Sequence, residues 1–289
     1  MVKRMLLIVV VLSLLMTGCT VNGIHIDVPT NAIDGSGKIV TEAREVSGYS
    51  SVDMQSIGNL TITQGSEESL TIKADENLLP YITTRVVNGT LEIGMKPNTS
   101  LNPTRTIEYD LVMKDVSGVQ LSGFGNIESE GLKGKDVEVK LAGSGDINIG
   151  KLEADSLLVR ISGFGNFDSK SIKASAPTIE ITGSGDINVD KLDAEDLAVK
   201  ISGFGDAILN GKTTTQDVQI LGSGNFKAGD LASKTAKVKI TGFGNATLWV
   251  SDDLEITVTG SGDVEYYGSP RVTQTMTGFG KVNSLGEHK

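Results

Sequence analysis

From Val119 onward, apolar and polar residues alternate in short runs that recur every 18 to 20 residues, and this recurrence predicts stacked β-strands. In Val137-Glu138-Val139-Lys140-Leu141 one face is aliphatic and the other is charged, the signature of a strand with one face in water. The inner column continues through Leu121, Leu141, Ile161, Ile181, Ile201, Ile220, Ile240 and Val258. Each run ends in a Gly-x-Gly triplet. Four residues beyond the first glycine a second apolar column begins (Ile127, Ile147, Phe167, Ile187, Ala207, Phe226), so a second strand follows each turn. Leu132, Leu152, Ile172, Leu192 and Leu231 stand nine residues beyond the same glycine and are expected to plug the return loop. The unit reads strand, turn, strand, loop.

The Gly-x-Gly triplet occurs nine times between Gly123 and Gly280, and its middle residue alternates Phe and Ser without a break. Glycine at both ends of the turn suits a positive φ or a close backbone approach. A unit of this size cannot bury its own apolar face, but a stack shares one core and one hydrogen-bond ladder, so the pattern predicts an all-β solenoid. Two pitches fit the pattern. A coil of 20 residues, the reading adopted here, places all turns in one column in which Phe and Ser alternate. A coil of 40 places the Phe turns on one edge and the Ser turns on the opposite edge, and the unbroken alternation is its best support.

Upstream the period disappears. Residues 49–115 contain alternating segments such as Leu60-Thr61-Ile62-Thr63 and Leu70-Thr71-Ile72-Lys73, with a hairpin signal at Asn88-Gly89. This segment is expected to cap the N-terminal edge of the stack, which would otherwise be an open sheet edge. Residues 20–47 are polar and irregular and read as a tether. Before them, Lys3 and Arg4 precede an apolar run from Met5 to Met16 that is too short for a membrane span of about 20 residues. Its charged, apolar, small-residue order is that of a secretory signal. Leu15-Met16-Thr17-Gly18-Cys19 resembles the bacterial lipobox, with Met16 in place of the usual Leu. The resemblance implies cleavage before Cys19, which is the only cysteine, and lipidation of that residue. The expected partition is therefore a lipoprotein signal peptide over 1–18, a tether over 19–47, a β-rich cap over 48–115 and solenoid repeats over 116–285. Residues 48–285 would form one continuous domain.

The order of the Thr61-Ile62 strand, Leu78-Leu79-Pro80, the Asn88-Gly89-Thr90-Leu91 hairpin and then the glycine repeats resembles the bacterial DUF2807 family, the GIN domain of an autotransporter adhesin head. Gly143-Ser144-Gly145-Asp146-Ile147-Asn148 and Gly183-Ser184-Gly185-Asp186-Ile187-Asn188 carry the likeness most specifically. The resemblance implies a right-handed β-solenoid, like a single-stranded β-helix, and an adhesin-like role. It supplies no catalytic residues.

Charge narrows the partners. The chain carries a net charge of −10, more acidic once Lys3 and Arg4 are removed, and such a surface repels nucleic acid and anionic lipid. An Asp or Asn follows each Gly-x-Gly from Asn126 to Asp263, which invites a calcium reading, yet the spacing lacks the nine-residue period of calcium-binding β-rolls. These side chains are expected to close their own turns, with no metal and no cofactor. Phe124, Phe164, Phe204, Phe243 and Phe279 either pack over the coil edge or form an exposed stripe that contacts glycan or an envelope protein. Trp249, Tyr266 and Tyr267 are expected near a terminal cap. The two histidines, His25 and His288, flank the solenoid, which leaves no His-based catalytic site within the repeats. The expected function is thus a non-catalytic, lipid-anchored protein of the bacterial cell envelope, held to the membrane through Cys19. Thr20, a residue other than Asp after the cysteine, resembles the outer-membrane sorting class of lipoproteins, which implies that location in a Gram-negative host. The alternatives are a polysaccharide-active β-helix enzyme and a periplasmic sensor or scaffold for another envelope protein.

Overall fold

The computed structural model describes residues 32–288, so the signal segment, Cys19 and His25 lie outside the described residues. From Gly118 to Gly286 the chain forms a parallel β-solenoid in which equivalent residues of successive coils pair directly. Ile147 pairs with Phe167 and Phe167 with Ile187, a step of 20 residues, and the later coils shorten to 18. The pitch is therefore one repeat unit, and Phe and Ser alternate in a single column of turns: Phe124 bridges Ser144, which bridges Phe164. The inner columns of the first and second strands are buried, as are the loop plugs Leu132, Leu152, Ile172, Leu192 and Leu231. Seven phenylalanines divide by position. Phe167 and Phe226, four residues after a turn's first glycine, are fully buried.

The segment expected as a cap proves to contain two further coils. Ser51–Met54 pairs in parallel with Gly118–Leu121, and Ile57, Gly58 and Asn59 lie beside Phe124, Gly125 and Asn126. Ser51–Gln64 is thus a coil whose turn keeps the second glycine and the Asn but has Ser56 in place of the first glycine. Beyond it, Thr90–Ile93 pairs with Ser51–Met54, and Glu108–Met113 pairs with Asn59–Gln64. In space, residues 90–113 precede residues 51–64, the reverse of their order in the chain. Buried Tyr109 joins these two coils, since its hydroxyl reaches Ser56 Oγ at 3.0 Å and the Ile57 carbonyl at 3.2 Å, and burial pushes that hydroxyl up to about 12.

Antiparallel strands flank this end. Ser69–Asp75 pairs with Glu108–Met113 on one edge and with Ile39–Arg44 on the other, and Ile82–Val87 folds back on Thr90–Met95 through Asn88 and Gly89. Both turn residues have positive φ, 50° and 79°, as the tightest hairpin requires. The strand Ile39–Arg44 corrects the expected tether over 19–47: alternation in Ile39-Val40-Thr41-Glu42 lets it extend the Ser69–Asp75 edge, so the segment is folded at its C-terminal side.

Asp75 ties this edge together and has no exposed surface. Burial opposes its ionisation, yet the Thr104 hydroxyl (2.7 Å), the Thr104 amide (2.9 Å) and the Gly37 amide (2.7 Å) all donate to it and hold it below the ordinary carboxylate range. A carboxyl whose folded value is depressed stabilises the fold above its unfolded value of about 4 and loses that contribution as pH falls through the folded one. We expect Tm of the parent to drop between about pH 5 and pH 2 more steeply than that of Asp75→Asn. Parallel Tm profiles would show that the carboxylate holds nothing.

At the other end, Gln274 stands in register with buried Ile256 and is itself exposed, so the last coil meets solvent with a polar residue in the apolar column. Trp249 and Tyr267 lie at this end as expected, and His288 joins them. Its ring stacks on Trp249 at 4.0 Å, meets Tyr267 edge-on at 5.1 Å, and places Nε2 2.8 Å from Asp230 Oδ1.

Candidate functional site: the turn ridge

The column of Gly-x-Gly turns is built by backbone contact. The amide of each middle residue donates to the carbonyl of the first glycine one coil earlier, as from Phe164 to Gly143 (3.0 Å) and from Phe204 to Gly183 (3.0 Å). The coils approach so closely here that a Cβ on Gly183 would overlap the Gly163 carbonyl oxygen, and one on Gly185 would overlap that of Gly165. Close approach, rather than φ, is the general reason for glycine, because Gly125, Gly145 and Gly165 have positive φ but Gly183 and Gly185 do not. The middle side chain projects outward from this column. Phe124, Phe164, Phe204, Phe243 and Phe279 are accordingly 65, 70, 75, 73 and 93% exposed. Of the two arrangements open to them, the structure has the exposed stripe.

The Asp and Asn column beside the stripe does not close its own turns. Each Oδ1 instead accepts the backbone amide of the equivalent residue in the next coil: Asn59 from Asn126 (3.2 Å), Asn166 from Asp186 (3.0 Å), Asp186 from Asp206 (2.7 Å), and so on to Asp263 from Lys281 (2.8 Å). The residue type follows from this role, since a short side chain with an acceptor at Oδ1 reaches exactly one coil. Burial opposes ionisation of Asp206, but Lys227 at 2.6 Å and the donors of Asn225 hold it lowered. Asn166→Ala should leave the Asp186 amide without its acceptor and cost about 1 kcal/mol. An unchanged urea midpoint would deny the ladder any energetic role.

On the opposite, return-loop edge lies a shallow groove lined by Lys133, Glu153, Lys173 and Asp193. These are register partners on successive coils, so charge alternates up the column, and Lys151 and Lys133 hold Glu153 lowered. Asp155 and Glu195 line the groove as well, so four carboxylates face two lysines, Glu153 and Asp155 on one coil and Asp193 and Glu195 two coils further on. Among the described residues no group of three or more His, Cys, Asp or Glu side chains is placed to hold a metal ion.

The described residues thus form a parallel solenoid with an aromatic stripe along its turn column. The family described as "Putative auto-transporter adhesin, head GIN domain", DUF2807, matches residues 48–171 and 165–270, and the chain belongs to that family. The fold is shared with solved structures. One is a "putative lipid binding protein" from Parabacteroides distasonis, 24% identical with a TM-score of 0.69 over 88% of this chain and 99% of that one. Another is a "putative adhesin" from Parabacteroides merdae, 24% identical with a TM-score of 0.68 over 88% and 99%. A third, a "putative adhesin" from Bacteroides fragilis, is 20% identical with a TM-score of 0.53 over 88% and 100%. No curated protein matches the chain.

Proposed function

We propose that this protein is a non-catalytic, adhesin-like component of the bacterial cell envelope, anchored through lipidated Cys19, that contacts its partner through the turn ridge. The observation that carries the reading is the row of five exposed phenylalanines, set at every second level of one backbone-bonded column of turns. Exposed aromatic surface on this scale marks a contact site rather than a solvated face. Membership of an adhesin-head family supports the same reading. Enzymatic processing of polysaccharide has no comparable observation behind it.

Two measurements test the parts separately. Cys19→Ser should keep the folded domain and move the protein from the membrane to the soluble fraction; unchanged fractionation would refute the anchor. On cells carrying equal amounts of protein, Phe124→Ser, Phe204→Ser and Phe279→Ser combined should reduce adhesion at least tenfold. Adhesion equal to the parent's would refute the ridge as the contact surface.

A further inference from the structure

Successive rings on the ridge are two coils apart, about 9.6 Å at a strand spacing of about 4.8 Å. Aromatic pairs need centroids about 4.5–7 Å apart, so no ring can stack on its neighbour in the same chain. Each gap has a serine floor, at Ser144, Ser184, Ser223 and Ser261. A ring inserted midway into a gap would lie about 4.8 Å from the ring on either side. What fills every gap at once is a row of rings with the same period, offset by one coil. The ridge itself, turned end for end, is such a row.

The number of turn levels makes this fit complete. Ten levels carry a compact turn: Ile57, the register partner of Phe124, occupies the first, next to the longer 94–107 connection of the preceding coil, and Phe279 occupies the last. A twofold axis between the Ser184 and Phe204 levels then sets every phenylalanine of one copy opposite a serine of the other, save that Phe279 meets half-buried Ile57. A parallel pairing about a twofold axis allows no such offset, so it would set ring against ring and leave the gaps empty.

We propose that the turn ridge pairs antiparallel with the ridge of a second copy of this chain, interleaving the two rows of phenylalanine. Area is consistent with this: five rings, 65 to 93% exposed, present roughly 600–900 Å² of aromatic surface, against about 800 Å² per partner in a standard interface. Charge is consistent as well. The same axis brings the Asp and Asn columns side by side, with Asp146 near Asn245 and Asp263 near Asn126. The carboxylates that meet at the axis are Asp186 and Asp206, and Asp206 is already paired with Lys227. This inference names the partner in the adhesion reading and rests on that reading for its biological setting, so adhesion would be homophilic.

The test is sedimentation of the purified full chain across concentration, with and without Phe204→Ser, and circular dichroism to confirm folding. A reversible dimer is expected, weakened roughly tenfold per central ring removed. In a Cys19→Ser background, Thr182→Cys, beside the axis, should cross-link to its mate on oxidation, whereas Thr277→Cys, at the last level, should not. A folded protein that stays monomeric at every concentration, a dimer indifferent to Phe204→Ser, or cross-linking at Thr277→Cys would overturn the proposal. So would a monomer that binds a cellulose or chitin oligosaccharide and loses it in Phe204→Ser, an outcome that would leave adhesion standing with a glycan as the partner.

Discussion

Gly183→Val should destabilise the solenoid by roughly 3 kcal/mol or more, at the upper end of what overpacking costs. The reason is geometric: the new Cβ would overlap the Gly163 carbonyl oxygen and lie 2.7 Å from the carbonyl carbon of Ser162, and both belong to a backbone fixed by the coil ladder. No side-chain rearrangement relieves a clash with backbone. Ser184→Ala, one residue away and pointing outward, should change stability by less than about 1 kcal/mol. Because coils couple mainly to nearest neighbours, the damage should stay centred on the mutated level. Hydrogen exchange reads this directly, as lost protection near residues 163–205 with distant coils intact. A Gly183→Val protein as stable as the parent would remove the basis given for the turn column.

Phe226→Ala should be comparably costly, about 3–5 kcal/mol, through the cavity it leaves between two coils that cannot close on it. Phe226 has no exposed surface and is in register with Ala207 on one side and Ala246 on the other. Two small neighbours explain why a large ring is accommodated, and they have nothing with which to refill its space. Phe243→Ala, 73% exposed on the ridge, should by contrast leave the monomer's stability within about 0.5 kcal/mol. Chemical denaturation of the two variants side by side distinguishes the inward and outward phenylalanines. Equal costs would contradict the assignment of one to the core and the other to the surface.

Much of the architecture was legible because period-two alternation within a strand and an 18 to 20-residue period between strands are properties of the chain itself. The inner columns, the loop plugs and the turns could all be numbered from it. The coils at residues 51–64 and 90–113 were not legible, for two reasons. Ser56 replaces the first glycine of the turn, so the triplet is absent, and the surviving signal is Gly58-Asn59-Leu60, which matches Gly125-Asn126-Ile127. The insertion over residues 65–89 also reverses their order in the stack, which no period along the chain can reveal. His288 gave no signal either, because its stacking on Trp249 joins residues whose separation follows no repeat.

The sequence by itself determined the solenoid, its inward columns and the alternation of Phe and Ser, since each is a statement about which residues recur at which spacing. Tertiary structure alone decided the rest. Whether a turn residue faces in or out depends on how its turn sits on the coil beneath it, and in the stacked column the phenylalanines face outward. Whether an Asp or Asn bonds its own turn or the next depends on register between coils, and a step of one coil aimed each Oδ1 at its neighbour's amide. Local pattern specifies what a residue prefers; the adjacent coil specifies what it meets.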